Sequence, residues 1–165
     1  MSKQFWIFLA VGLAVVAAVV GISLVANKGE HLELTGEVLK VRTFQMNPHA
    51  TLVMLDFRAT NPSDVPFVVK NVEIELTPAA GDALNGMSIS KPDIENVFKY
   101  EKFLGSKYND VLSIRDRIEP HQKVDRMVGA RFDLPEAAID ARRGIRVRIE
   151  DMDGVVAELT EAHPK

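Results

Sequence analysis

The sequence predicts a mainly β protein: an antiparallel β-sandwich with two short helices, preceded by one N-terminal transmembrane α-helix. Three observations predict it. Phe5 to Ala26 are 22 consecutive uncharged residues, with only Gly12, Gly21 and Ser23 outside the apolar set. After Gly29 apolar residues recur with period two, as in strands that are dry on one side. Turn-forming residues separate about seven such runs, the spacing of a sandwich. The division expected is an anchor over 1–28 and a folded domain over 29–165.

As a helix the apolar run spans roughly 33 Å at ~1.5 Å per residue, enough for one crossing of a hydrocarbon layer of ~30 Å. The rival is a secretory signal peptide, whose apolar region is usually ~7–15 residues. Leu24 fits poorly three residues before a cut after Ala26, whereas Gly21 would suit a cut after Ser23. Lys3 precedes the run and Lys28, Lys40 and Arg42 follow it, so the positive charges alone do not orient it. A short N-terminal flank before a large acidic domain is the layout of a signal-anchor protein. The N-terminus is therefore expected in the cytoplasm and the domain outside it, periplasmic if the source is bacterial. Trp6 suits the headgroup level. Ala10, Ala14 and Ala18, with Ala17 and Gly21 one register on, form a stripe of small residues against which another helix could pack.

Residues 29–165 carry 18 basic and 23 acidic side chains, net −5, which argues against a nucleic acid as partner, since phosphate binding needs clustered Lys and Arg. With no Cys there are no disulfides, thiolate zinc sites, iron–sulfur clusters or cysteine nucleophiles.

In chain order, a first strand over about Leu32 to Thr43 changes phase between Val38 and Leu39, and the nearby Gly36 suggests a bulge. Val53, Leu55, Phe57 and Ala59 then alternate with Met54, Asp56 and Arg58. Val72, Ile74 and Leu76 alternate with Glu73, Glu75 and Thr77. Val124, Val128, Ala130 and Phe132 oppose Asp125, Met127, Arg131 and Asp133, and Ile145, Val147 and Ile149 oppose Arg146, Arg148 and Glu150. Ser90-Lys91-Pro92-Asp93 starts a helix, with Ser as N-cap and Pro in the first turn, and Gly105 stops it. Its buried stripe would be Ile94, Val97, Phe98 and either Phe103 or Leu104. A second helix is expected over Pro135 to Arg143, ended by Gly144, with Arg142 and Arg143 complementing its dipole. In the closing hairpin a two-residue Asp153-Gly154 loop would set Ile149 against Glu158. A three-residue loop Met152-Asp153-Gly154 instead pairs Ile149 with Ala157, Val147 with Leu159 and Arg148 with Glu158, and puts Gly154 in a left-handed conformation.

Leu55-Asp56-Phe57-Arg58-Ala59-Thr60-Asn61-Pro62-Ser63-Asp64-Val65-Pro66-Phe67 resembles the LEA14-like family, also described as the water-stress and hypersensitive-response domain. Its members carry an apolar strand ending in Asn-Pro and a short turn into the next strand. Ile118-Glu119-Pro120, the long strand ending at Leu134-Pro135, the short helix and the closing hairpin are similar too, so the resemblance spans roughly Leu34 to Leu159. His121 stands where the family usually has Gly, and the Ser90–Gly105 insertion is longer. The resemblance implies an immunoglobulin-like or fibronectin-like sandwich without catalytic residues, in a family associated with stress protection and, in bacteria, with envelope-anchored or secreted domains. Asn61-Pro62 also has a purely structural reading: Pro cannot donate to a ladder and ends the strand, and Asn caps the turn.

Motifs of nucleotide binding, zinc proteolysis and serine hydrolysis are absent. His31, His49, His121 and His163 are isolated, so no metal site is expected. Glu150-Asp151-Met152-Asp153-Gly154 shares alternating oxygens with a calcium loop but lacks the closing bidentate Glu, and reads as a hairpin turn. No cofactor and no small-molecule ligand are expected. Arg126, Arg131, Arg142, Arg143, Arg146 and Arg148 are candidates for a basic patch that docks an acidic partner or anionic lipid heads, against the plainer reading of a solvated sheet face. Phe98, Tyr100, Phe103 and Tyr108 could form a partner-binding ridge or close an end of the sandwich. The function expected is non-catalytic binding or scaffolding by a membrane-anchored protein, as accessory subunit of a larger membrane complex. A free-standing LEA14-like stress or envelope domain, and a metal-binding or enzymatic domain built from scattered Asp, Glu and His, are the alternatives.

Overall fold

The computed structural model describes Phe5, residues 12–19, Gly21 and residues 33–161. The chain divides into two compact units, Met1–His31 and Leu32–Lys165. In the first, residues 12–19 are helical, and Leu13, Val15, Val16 and Val19 are all exposed. No helix among the described residues is long and apolar enough to cross a membrane. Most of the expected Phe5–Ala26 crossing, with Trp6 and Ala10, lies outside the described residues, as do His31, Leu32 and His163.

The second unit is mainly β, built on two five-stranded sheets. Its elements are β1 (Thr35–Asn47), β2 (Ala50–Thr60), β3 (Phe67–Thr77), β4 (Leu84–Asn85), β5 (Met87–Ser88), α1 (Lys91–Tyr100), a 3-10 turn (Lys102–Leu104), β6 (Asp110–Val111), β7 (Arg117–Ile118), β8 (Lys123–Phe132), α2 (Glu136–Asp140), β9 (Gly144–Asp151) and β10 (Val156–Thr160). The first sheet runs β1-β2-β8-β5, with β6 parallel on the edge of β8; the second runs β10-β9-β3-β4, with β7 also on β3. Val53, Leu55 and Phe57 of β2 share one buried cluster with Ile74 and Leu76 of β3 and Val147 and Ile149 of β9. The two sheets thus bury their apolar faces in a common core, a sandwich-like arrangement in which each fully buried Leu, Ile or Phe contributes roughly 1.5–3 kcal/mol.

Strand registers follow local rules. The pairing of β1 with β2 shifts between Val38 and Lys40, so Leu39 is the bulged residue at the phase change. A Cβ on Gly36 would lie 1.9 Å from the Arg58 carbonyl oxygen, a close approach that only Gly permits. The closing hairpin pairs Ile149 with Ala157, Val147 with Leu159 and Arg148 with Glu158. Gly154 has φ +89° and its N–H donates to the Asp151 carbonyl at 2.9 Å, the geometry of the three-residue loop. A second bulge, between Val69 and Asn71, switches β3 from burying Phe67 and Val69 to burying Ile74 and Leu76.

Two expectations are corrected, and one left open between two residues is decided. Met54, Asp56 and Met127, assigned to wet faces, are buried, because α1 and the chain after it cover the outer side of the first sheet. Leu52, Met54, Ile94, Val111 and Met127 form a second apolar cluster there, with Val97 and Phe98 packed against it. Leu104, not Phe103, completes the stripe: Leu104 is buried and Phe103 faces water. The second helix is short, covering only Glu136–Asp140, and Gly144 begins β9 rather than capping the helix. Arg142 does reach the helix end, donating from Nη1 to the Ile139 carbonyl at 3.2 Å.

The turn after β2 is held by Asn61, which is fully buried. Its Nδ2 donates to the carbonyls of Val65 (2.8 Å) and Ile118 (3.1 Å), and its Oδ1 accepts the Ser63 N–H at 3.0 Å. Pro62 needs no ladder partner. Asn61→Ala removes three hydrogen bonds from a buried turn and leaves the buried Ser63 N–H without its acceptor, so we expect a loss of about 2–4 kcal/mol in urea unfolding, against a near-neutral change for exposed Asn96→Ala. His121 holds φ +57°, a conformation that costs a side-chain-bearing residue about 1 kcal/mol, and its Nε2 lies 2.9 Å from an exposed Asp64. His121→Gly is therefore expected to leave the thermal midpoint unchanged or to raise it by a few degrees, and a drop would show that the Asp64 contact outweighs the backbone strain.

Candidate functional site

The inserted segment is tied to the first sheet by a buried charge cluster. Arg42 of β1 and Asp56 of β2 point out of the sheet toward α1. The Arg42–Asp56 ion pair is only 6% exposed at each side chain. Arg42 Nη2 donates to Asp56 Oδ2, and Nη1 donates to the carbonyls of Leu104 (3.0 Å) and Ser106 (2.8 Å). Asn109 Nδ2 donates to Asp56 Oδ1 at 2.8 Å. The Phe98 ring covers one face of the guanidinium at 4.8 Å from its centroid. A planar guanidinium suits this work, because it serves a carboxylate and two carbonyls at once. Arg42, Asp56 and Asn109 belong to no motif and were not among the site residues expected from the sequence. The signal that could have found them is the pair Met54 and Met127, apolar residues on faces expected to be wet.

β3 and β8 lie in different sheets and do not pair with each other. A cavity of about 510 Å³ opens between them, lined by Val72, Ile74, Ile94, Val128, Ser113 and Lys91. Its walls are mainly apolar, with Ser88, Ser90 and Ser113 beside Lys91 among its polar lining residues. Among the described residues no group of three His, Asp or Glu is placed to hold a metal ion. Asp151 of the calcium-like loop is buried and accepts the Val68 N–H at 2.7 Å.

The candidate arginines lie on different elements. Arg146 and Arg148 come together on β9, where they are balanced by acids on both neighbours: Arg146 contacts Glu75 (2.6 Å) and Glu158 (3.1 Å), and Arg148 contacts Glu73 (3.7 Å) and Glu158 (3.1 Å). The hydrogen bond to Glu75 raises the Arg146 pKa further. Arg142 pairs with Glu161 at 2.8 Å, and Arg143 donates to the Pro78 and Gly81 carbonyls, fastening the β3–β4 loop. Arg126 and Arg131 belong to β8 of the other sheet, where Arg131 meets Asp133 at 2.7 Å. Nearby, the hydrogen bond from Arg58 holds the Asp125 carboxyl below the usual carboxylate value. Of the small-residue stripe, Ala14, Ala17 and Ala18 are exposed on the helical residues 12–19, and Gly21 is half-buried. Of the aromatic residues, Phe98 is half-buried beneath Arg42, whereas Tyr100, Phe103 and Tyr108 are exposed.

Comparison with known protein families, with curated proteins and with solved structures finds no match to this chain.

Removing one partner of the buried pair leaves an uncompensated charge. Arg42→Met is expected to cost about 3–5 kcal/mol in urea unfolding and to speed amide exchange across Lys102–Ser106. Arg42→Met/Asp56→Leu should recover much of the loss. If the double variant is no more stable than the single one, the carbonyl contacts of Arg42 matter more than its charge.

Proposed function

We propose that this is a single-span membrane protein, with its C-terminal domain outside the cytoplasm, that acts without catalysis as a binding or scaffolding subunit of a larger membrane complex. The observation that carries this reading is the helix over residues 12–19: Leu13 is 73% exposed and Val15, Val16 and Val19 are also turned outward, within a run of 22 uncharged residues. Apolar side chains exposed on consecutive turns need lipid or another helix, and Ala14, Ala17 and Ala18 would allow close approach of a partner helix. The non-catalytic part of the reading is supported by the structural bonds of Asn61 in the turn, and of Asp56 and both terminal nitrogens of Arg42 under the insertion.

The immunoglobulin-like, LEA14-like reading is the second one, favoured by the Asn61-Pro62 turn and by the positive φ at His121, where that family usually has Gly. On this reading the domain stands alone in the envelope.

Purification from membranes in mild detergent tests both. The chain is expected to resist alkaline carbonate extraction and to co-purify with stoichiometric partner chains. A carbonate-resistant lone monomer favours the stress-domain reading, and release of the chain by carbonate overturns the membrane anchor.

A further inference from the structure

Residues 99–108 read Lys-Tyr-Glu-Lys-Phe-Leu-Gly-Ser-Lys-Tyr, and their rings face water: Phe103 is 98% exposed, Tyr108 75% and Tyr100 70%. A Phe ring held almost wholly in water forgoes the burial that its side chain normally gains, and a cluster of such rings marks an interaction surface. The stretch is braced from beneath. Leu104 is buried, the Leu104 and Ser106 carbonyls accept from Arg42, and the Gly105 N–H closes the 3-10 turn on the Lys102 carbonyl at 3.1 Å. Phe103 is therefore displayed by a fixed turn.

Lys99, Lys102 and Lys107 border the rings, around an open hollow of about 550 Å³ that Phe98 and one acid, Glu95, also line, so three lysines face one glutamate there. Lys107 is loosely shared with Asp110 at 3.8 Å. Within residues 99–108 three lysines meet one glutamate, net +2, in a domain of net −5. The charge of the tip is thus opposite to that of the domain and complementary to an anionic surface. Aromatic rings flanked by ammonium groups match the interfacial layer of a bilayer, where rings settle at headgroup depth and lysines reach lipid phosphates. A protein partner is the poorer fit, because one ten-residue tip falls well short of the ~20–30 residues per side of a stable protein interface.

We propose that the Lys99–Tyr108 turn is a second membrane contact, in which Phe103 enters the headgroup layer of an anionic leaflet and Lys99, Lys102 and Lys107 meet lipid phosphates. This rests on the anchorage proposed for Phe5–Ala26, and the test reads the two separately.

Trp6 is the chain's one Trp, so the full-length variant Trp6→Phe/Phe103→Trp places a single indole at the tip, at a position too exposed to disturb folding. It is reconstituted into vesicles of phosphatidylcholine alone or mixed with phosphatidylglycerol, with brominated acyl chains as quencher. The expected result is a blue-shifted indole, quenched at least about twofold more in the phosphatidylglycerol vesicles, with the difference removed by high salt and by Lys99→Gln/Lys102→Gln/Lys107→Gln. Carbonate extraction of the same vesicles reports the anchor. A chain that resists carbonate while its indole stays open to aqueous iodide in both vesicle types overturns the turn contact and leaves the anchor standing. An indole that is wet in vesicles of extracted native lipid but shielded in native membranes that keep their proteins assigns the tip to a protein partner, and also overturns the proposal.

Discussion

The Arg42–Asp56 pair is the constraint around which the first sheet is organised. A guanidinium and a carboxylate taken out of water each carry a desolvation cost of several kcal/mol, offset only when the geometry is good and the remaining donors are used. Here Nη1 finds two carbonyls, Nη2 the carboxylate, and the ring of Phe98 lies against the guanidinium face, while the buried Nε–H is left without a hydrogen-bond partner. Both carbonyls belong to the segment after α1, so satisfying the pair and folding the insertion onto the sheet are one event. The apolar residues nearby conform to it. Met54, Met127 and Ile94 are buried because the insertion lies over them, and Gly129 lets them close up, since a Cβ there would sit 2.7 Å from Met54 Sδ.

The two sheets consequently present different exteriors. The second meets water with rows of opposite charges, Glu73 and Glu75 on β3, Arg146 and Arg148 on β9, Glu158 on β10. Exposed pairs of this kind add little stability individually, but they leave the face nearly neutral and without a preferred ligand. The insertion covers the outer side of the first sheet around Met54, Asp56 and Met127, while the Arg58 and Asp125 side chains farther along stay 39% and 38% exposed.

Features governed by neighbours in the chain were legible in the sequence. The hairpin register followed from keeping Ile149 off a charge, the bulge at Leu39 from a change of phase, and the start of α1 from Ser90 and Pro92. What depended on distant chain was not legible. Asp56 between Leu55 and Phe57 looks like a solvated residue, and only an arginine 14 positions earlier together with Asn109 makes its burial tolerable. Whether Phe103 or Leu104 faces inward was undetermined by spacing, since the chain leaves α1 at Glu101 for a 3-10 turn with its own phase. Six arginines in 23 residues read as one patch, yet β8 and β9 lie in different sheets. The small-residue stripe at Ala10, Ala14, Ala17, Ala18 and Gly21 is clear in the sequence, but its meaning depends on what surrounds the helix.

The same economy bears on what the domain is for. An active site needs polar groups held near one another yet left free to engage a substrate, commonly with perturbed proton affinities. Here Asn61 makes three hydrogen bonds within one turn and Asp56 accepts from two side chains. Among buried side-chain atoms the Arg42 and Arg148 Nε–H groups lack a hydrogen-bond partner, and at the surface lie exposed rings and ammonium ends at the insertion and apolar side chains along residues 12–19. The scaffolding role at a membrane proposed for this chain takes those exposed rings, ammonium groups and apolar side chains as its points of attachment.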